Sequence, residues 1–205
     1  TLGLERPLPA LVPPTLPEPL WLGYRLQKRK PIAMYRVFYG DSLAQFDESC
    51  AFGHTGWISD ANAAGCHPSE AAAKEHSFDE EEVANAELYA YRAIPLLFGD
   101  SGVPQPLEPA HLLGAGASLP AAPDLEQYLR LGYDVTECSS EMNGDWLGCS
   151  PLSPGCNGMA LGLGSLVNRA CLIDDVGLAY DVATCFGIEK PEPGPYVIVE
   201  IWRHV

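Results

Sequence analysis

The chain has few basic residues and few charged residues altogether. Lys and Arg number 12 against 27 Asp and Glu in 205 residues, which gives a formal net charge of -15 at pH 7. A charge of this size and sign repels the phosphates of nucleic acids and of anionic membranes. We therefore expect no direct binding of nucleic acid or membrane, and we expect any protein partner to be basic.

Long apolar runs and nucleotide-binding signatures are also missing. No run of eighteen apolar residues occurs, so we expect no membrane-spanning helix, and stretches such as YVIVEIW have the length of a β-strand. The P-loop, the dinucleotide fingerprint and the Gly-x-Ser-x-Gly nucleophile turn are absent. The segment NGMALGLGSLVN is rich in glycine, but it lacks the strand–turn–helix pattern of a nucleotide site, so we interpret it as a packed loop.

The apolar content is that of a folded protein. Hydrophobic residues make up 47 % of the chain and charged residues 19 %, and 205 residues suffice to bury a core. Six prolines within residues 1–19 predict an extended arm, which needs cover from the body of the protein or from a neighbouring subunit. A second proline-rich stretch, residues 99–123, reads as a linker between a first half, residues 20–98, and a second half, residues 124–205.

A short repeat relates the two halves. The tripeptide Leu-Gly-Tyr opens a predicted strand at Leu22–Tyr24 and again at Leu131–Tyr133, and each half closes on an apolar strand, LYAYRAIPLLF or YVIVEIW. A divergent duplication would explain this pattern, and coincidence is the competing explanation because the identical stretch is only three residues long.

Helices are predicted between the strands of each half. In DDVGLAYDVATCFG, apolar residues recur at helical spacing, Asp174 or Asp175 can cap the start, and Gly187 is placed to end the helix in a left-handed conformation. The segment ACLI before it resembles a strand, and HPSEAAAKEH predicts a short helix with Pro68 in its first turn. The expected fold class is therefore α/β or α+β, built as two small halves with a mixed or antiparallel sheet.

Potential metal ligands concentrate in CAFGHTGWISDANAAGCH, residues 50–67. Zinc requires about four Cys or His ligands that converge tetrahedrally. Cys50, His54, Cys66 and His76 would make such a set, with zinc as the cofactor, although Cys66 is followed directly by His67 and the spacing matches no familiar zinc module. A glycine-rich surface loop with one buried thiol and Trp57 as its anchor is the alternative.

The cysteines allow a second chemical interpretation. A thiol hydrolase needs a cysteine beside a histidine, which Cys50 with His54 or His67 could supply, or Cys149 with His111 if the fold brings them together, although no local catalytic signature surrounds either pair. Seven cysteines is an odd number and their spacings do not repeat. We therefore expect reduced thiols and a cytoplasmic location rather than a disulfide framework.

Acidic residues are densest at Asp79, Glu80, Glu81 and Glu82, in DEEE. Acidic side chains at a helix start compensate the helix dipole, but this run also leaves a patch that could face a basic partner. Trp57 and Trp146 are candidate apolar anchors for such an interface.

The segments LVNRACLIDDVGLAYDVATCF and PEPGPYVIVEIWR, with LGYDV ahead of them, resemble small uncharacterised bacterial proteins over roughly the last third of the chain. That resemblance implies no catalytic residue. In size, acidity and mixed secondary structure the chain is also similar to the immunity proteins of bacterial toxin systems, which implies binding to a basic toxin.

The sequence therefore favours a non-enzymatic module that docks on a basic protein and neutralises it. Two alternatives stay open. One is a zinc- or thiol-dependent enzyme built on the Cys50–His76 region. The other is a structural subunit that joins a neighbour, in a homo-oligomer, through its proline-rich arm.

Overall fold

A computed structural model describes residues 15–29, 45–46, 48–49, 62, 64–75, 86–138, 147–153, 163–192 and 194–205. This part of the chain contains five strands: β1 Leu20–Gln27, β2 Glu87–Phe98, β3 Gln105–Pro106, β4 Tyr128–Glu137 and β5 Tyr196–His204. Its α-helices are α1 Glu70–Glu75, α2 Pro109–Leu113 and α3 Val176–Glu189. The mixed helix and strand composition expected from the sequence is confirmed.

The strands form one antiparallel sheet in the order β1-β2-β5-β4, with the short β3 paired to β2. Because β2 belongs to the first half of the chain and β5 to the second, the two halves meet at the centre of a common sheet. The edges of the four-strand path are β1 and β4, the strands that carry the Leu-Gly-Tyr repeat.

The central strand β5 is buried on both faces, which explains its nearly continuous apolar sequence. Val197, Val199 and Ile201 pack on one face, against loops and α2. Tyr196 and Ile198 pack on the other face, against α3. Glu200 interrupts this pattern on the α3 face, at 2 % exposure.

Helix α3 confirms the predicted start and corrects the predicted end. Asp175 is the N-cap, and its carboxylate accepts the Leu178 N–H at 2.8 Å. The expectation that Gly187 ends the helix was wrong, because the left-handed residue is Lys190, with φ 49°. Gly187 lies inside the helix, where a Cβ would come within 2.6 Å of the Gly99 carbonyl oxygen, so glycine serves close packing there.

Helix α1 begins at Glu70, which is later than predicted, because Pro68 was expected to lie in its first turn. The Ser69 hydroxyl accepts the Ala72 N–H, so Ser69 caps the helix and Pro68 precedes it instead of lying in its first turn. The predicted strand ACLI before α3 is not a strand, since Ile173 makes only an isolated bridge to Tyr133.

The two halves share an order of elements: an edge strand, a bridge to that strand, a capped helix and a central strand. Gly23 and Gly132 both have positive φ at a register shift in their strands. Tyr24 bridges to His67 just before α1, as Tyr133 bridges to Ile173 just before α3. These features agree with the divergent duplication expected from the repeat, which stays a prediction.

Most of the proline-rich arm lies outside the described residues, so its docking on a neighbour stays a prediction. Leu16, near its end, packs against the apolar cluster that contains α3. Within the described ranges, no helix is both long enough and apolar enough to cross a membrane.

Candidate functional site

Nine of the ten residues selected from the sequence as binding or metal-ligating fall outside the described residues. They are Cys50, His54, Trp57, His76, Asp79, Glu80, Glu81, Glu82 and Trp146. The proposed zinc set and the acidic run are therefore untested, and both stay predictions.

The tenth residue, Cys66, is a buried thiol. It is fully inaccessible within the apolar cluster that also contains Leu22 and Tyr91, and its Sγ lies 3.8 Å from the Ala64 carbonyl oxygen. Burial raises the pKa of this thiol to about 12, although nearby Arg25 lowers it in part. Among the residues described, no group of three or more His, Cys, Asp or Glu is arranged to hold a metal ion.

A row of polar and aromatic side chains crosses the α3 face of the sheet. Directly paired residues share a face, and the pairs Trp21–Arg92, Arg92–Glu200 and Glu200–Tyr133 run from β1 to β4 without a break. Arg130 and Trp202 are paired on the same face beside this row. We call these six residues the polar row.

Glu200 is the centre of the polar row. Arg92 donates from Nε to its Oε2, and Arg130 donates from Nε to its Oε1 at 2.7 Å. The Glu200 side chain is 2 % exposed, whereas those of Arg92 and Arg130 are 26 % and 37 % exposed. A buried carboxylate therefore lies beneath two guanidinium groups that reach the surface.

The electrostatics of Glu200 follow from this arrangement. Burial alone would raise the pKa of its carboxyl group, but hydrogen bonds from Arg92 and Arg130 outweigh it and the net pKa is lowered. Glu200 is thus an anion at neutral pH, and it fixes the directions of both arginine side chains.

Aromatic rings surround the two arginines. The guanidinium carbon of Arg92 lies 5.4 Å from the ring centre of Trp21 and 5.5 Å from that of Trp202. That of Arg130 lies 4.6 Å from the ring centre of Tyr133. These distances suit cation–π interactions, which are strongest for tryptophan.

The polar row separates two apolar clusters on the same face. On one side, Ala73 of α1 packs with Tyr24 and Leu88, and Trp21 and Trp202 contact this cluster. On the other side, residues of α3 pack with Ile94 and Ile198. The row is therefore set between the cluster covered by α1 and the cluster covered by α3.

A second polar cluster lies near one end of the sheet. Glu48, 2 % exposed, accepts from Arg29 Nε at 2.7 Å and from the Tyr89 hydroxyl at 2.9 Å. Burial is the main cause that raises the pKa of Tyr89, followed by the charge of Glu48. Both oxygens of Glu48 are occupied, so this cluster anchors its segment to the sheet.

The exposed large apolar side chains lie in or beside the segment that runs from the end of β2 to the start of β4. Residues 93–129 contain four carboxylates and neither Lys nor Arg. The six exposed large apolar residues of the described ranges all lie in this stretch or contact it at Gly102 and Gln127: Val103, Leu119, Leu125, Leu129, Ile188 and Val205.

Three of these residues lie near the start of β4. The Val205 N–H donates to the Gln127 carbonyl at 3.0 Å, and Leu129 is paired with Arg203 in the sheet. We name Leu125, Leu129, Val205, Asp124 and Glu126 the β4 corner. Leu125, Leu129 and Val205 are 40 %, 47 % and 74 % exposed, and both acidic residues are exposed as well.

Sequence reasoning missed the polar row because its members are far apart in the chain. Glu200 lies 108 positions from Arg92 and 70 from Arg130. The available signal was the single charged residue in the middle of the apolar segment YVIVEIW. A buried charge of that kind requires a partner.

Comparison of the chain with protein-family models, with curated proteins and with solved structures found no significant match.

Proposed function

We propose that this protein is a non-enzymatic binding module that docks on a basic protein and neutralises it by covering that partner's active site. The observation that carries the proposal is the placement of the exposed apolar residues. Three of the six in the described ranges, Leu125, Leu129 and Val205, lie at the β4 corner with the exposed carboxylates Asp124 and Glu126, in or beside a stretch that has neither Lys nor Arg.

Protein interfaces combine these two properties. Apolar side chains at the centre lose their contact with water and supply most of the affinity. Charges at the rim steer the encounter and act mainly on the association rate. The β4 corner offers both, with Leu125 and Leu129 as the apolar contribution and Asp124 and Glu126 as the charges.

Acidic residues dominate the charge of the chain, whose formal net charge is -15 at pH 7. Lys74, Lys190 and Arg203 are held by Glu70, Asp100 and Glu87, and the two arginines of the polar row share Glu200. A basic partner therefore meets a field dominated by carboxylates.

The proposal includes a reducing compartment such as the cytoplasm. The five cysteines in the described ranges are free thiols: Cys66, Cys138, Cys149, Cys171 and Cys185. Free thiols are usual for proteins of that compartment.

The test is affinity capture with the full chain, from cells that produce it, at about 50 and 500 mM salt. Mass spectrometry should identify a basic protein that is retained best at low salt. Once purified, that partner is measured kinetically against two double variants. Leu125→Ser/Leu129→Ser should raise the dissociation rate, and Asp124→Asn/Glu126→Gln should lower the association rate.

Val103→Ser is the matched control, because Val103 is 61 % exposed near the opposite end of the same connection. It should bind as the wild type does. The proposed docking at the β4 corner is wrong if both double variants bind the partner as tightly as Val103→Ser does, and a captured partner that is acidic would reject the proposal itself.

A further inference from the structure

The polar row has more hydrogen-bond donors than the described residues can use. Glu200, the Asp174 carbonyl and the Tyr133 hydroxyl are the acceptors for the two arginines; the Asp174 carbonyl accepts from Arg130 Nη2 at 2.7 Å. Two guanidinium groups carry about ten N–H donors, which is more than these oxygen atoms can accept. The surplus donors belong to the side chains that reach the surface.

The charge of the row is also unbalanced. Arg92 and Arg130 contribute two positive charges, and Glu200 contributes one negative charge. Within the six residues of the row the net charge is therefore +1, since the other members are uncharged aromatic residues. One further anion would balance the charges of these six residues and could accept from the N–H groups of the two arginines that Glu200 leaves unused.

The aromatic rings beside the two arginines indicate the chemistry of the uncharged part of such an anion. Trp21 and Trp202 lie on either side of Arg92, and Tyr133 lies beside Arg130. All three rings are partly exposed. A planar aromatic group can stack on them, while the guanidinium forks match the geometry of a carboxylate.

We propose that the polar row binds a small aromatic carboxylate, with its carboxylate on Arg92 and Arg130 and its ring against Trp21 and Trp202. This site goes beyond the proposed docking function and uses different residues. Glu200 does not contact the ligand's charge; it positions the two arginines from below.

The probe is 2-naphthoate, tested against wild-type protein by calorimetry and by saturation-transfer NMR. The neutral analogue 2-naphthylmethanol tests the need for the carboxylate, and inorganic phosphate tests the need for the aromatic ring. The carboxylate should bind, the alcohol should bind at least about tenfold more weakly, and phosphate should not compete at equal concentration.

Two variants and a control locate the site. Arg92→Gln should weaken 2-naphthoate binding by at least about tenfold, and Trp202→Leu should weaken it while reducing the preference for naphthoate over acetate. Arg203→Gln is the control, because Arg203 is 17 % exposed and pairs with Glu87 away from the row. It should bind as the wild type does.

The comparison of naphthoate with its alcohol needs no variant, so a failure of Arg92→Gln to fold would leave the test intact. Absence of naphthoate binding up to about 10 mM would overturn the proposal. So would equal affinity for acid and alcohol, or tighter binding of phosphate. In each case the three charged residues would be a structural ion cluster only.

Discussion

Gly23 and Gly132 hold the same position in the two edge strands. Gly23 has φ +118° and lies against the His67 carbonyl, and Gly132 has φ +140° and lies against the Ile173 carbonyl. Each glycine allows a loop backbone to pair with the tyrosine that follows it. The Leu-Gly-Tyr repeat is thus explained locally, because both strands need a residue without a side chain at the point where the loop approaches.

We expect Gly23→Ala and Gly132→Ala each to destabilise the protein by more than about 2 kcal/mol. The added Cβ would lie 2.2 Å from the His67 oxygen or 2.8 Å from the Ile173 oxygen, and the backbone conformation disfavours a side chain at both sites. Urea denaturation measures the change. Gly116→Ala is the control, because Gly116 has φ +77° but no atom within 4 Å of the added Cβ. An equal loss of stability at all three sites would contradict the steric explanation.

Asn62 and Asn168 close the loops that reach these glycines. Asn62 Nδ2 donates to the Leu22 carbonyl at 2.6 Å, and Asn168 Nδ2 donates to the Leu131 carbonyl at 2.8 Å. Replacing either with alanine removes the donor from a carbonyl in the sheet, so we expect each to cost about 1–3 kcal/mol. Gln105→Ala removes an exposed amide contact and should cost far less. Matching stabilities for Asn168→Ala and Gln105→Ala in thermal unfolding would contradict this role.

Glu200 should make stability depend on pH in the acidic range. Its pKa is lowered in the folded protein, so its contribution is present above the unfolded carboxyl pKa and is lost as pH falls through the folded pKa. At pH 7, we expect Glu200→Gln to be less stable than the wild type by about 2 kcal/mol. The difference should shrink once the pH falls below about 4.

Urea titrations of both proteins between acidic and neutral pH check this prediction. Glu108→Gln is a suitable control, because Glu108 is exposed and its side chain does not cap α2. A difference between wild type and Glu200→Gln that stays constant across the pH range would show that the arginine contacts do not depend on the charge of Glu200.

Alkylation of the native protein should distinguish two groups of cysteines. Cys66 and Cys138 are buried, and burial raises the pKa of each to about 12, so neither forms the reactive thiolate near neutral pH. Of the cysteines in the described ranges, Cys149 and Cys185 are partly exposed and should react with iodoacetamide before Cys66 and Cys138. Peptide mapping after brief labelling gives the order, and early modification of Cys66 would contradict its burial.

The strands were predictable where local pattern and burial agree. In YVIVEIW and LYAYRAIPLLF, apolar and aromatic residues favour a strand, and the structure places both at the centre of the sheet. The end of α3 was not predictable from Gly187, because the close approach of Gly99 that requires this glycine is a tertiary contact. Glycine is favoured both where a helix ends in a left-handed conformation and where two backbones pack closely, so the sequence alone does not distinguish the two.

The candidate site depended more on tertiary structure than the strands did. Glu200 could be recognised as an unusual charge, but its partners Arg92 and Arg130 become neighbours only through the order of the strands. Sequence reasoning instead selected dense local groups such as Cys50–His67, because adjacent residues are the only neighbours a sequence shows.

The seam between β2 and β5 bears on how two copies of the chain could interact. Residues Tyr89–Ile94 of β2 pair with residues Ile198–Arg203 of β5, and this ladder joins the first half of the chain to the second. The same ladder can form between the first half of one chain and the second half of another, with every hydrogen bond preserved. Residues 114–127, which follow α2 and lead to β4, are therefore the hinge whose length governs domain exchange: shortening this segment would favour a swapped dimer over the closed monomer.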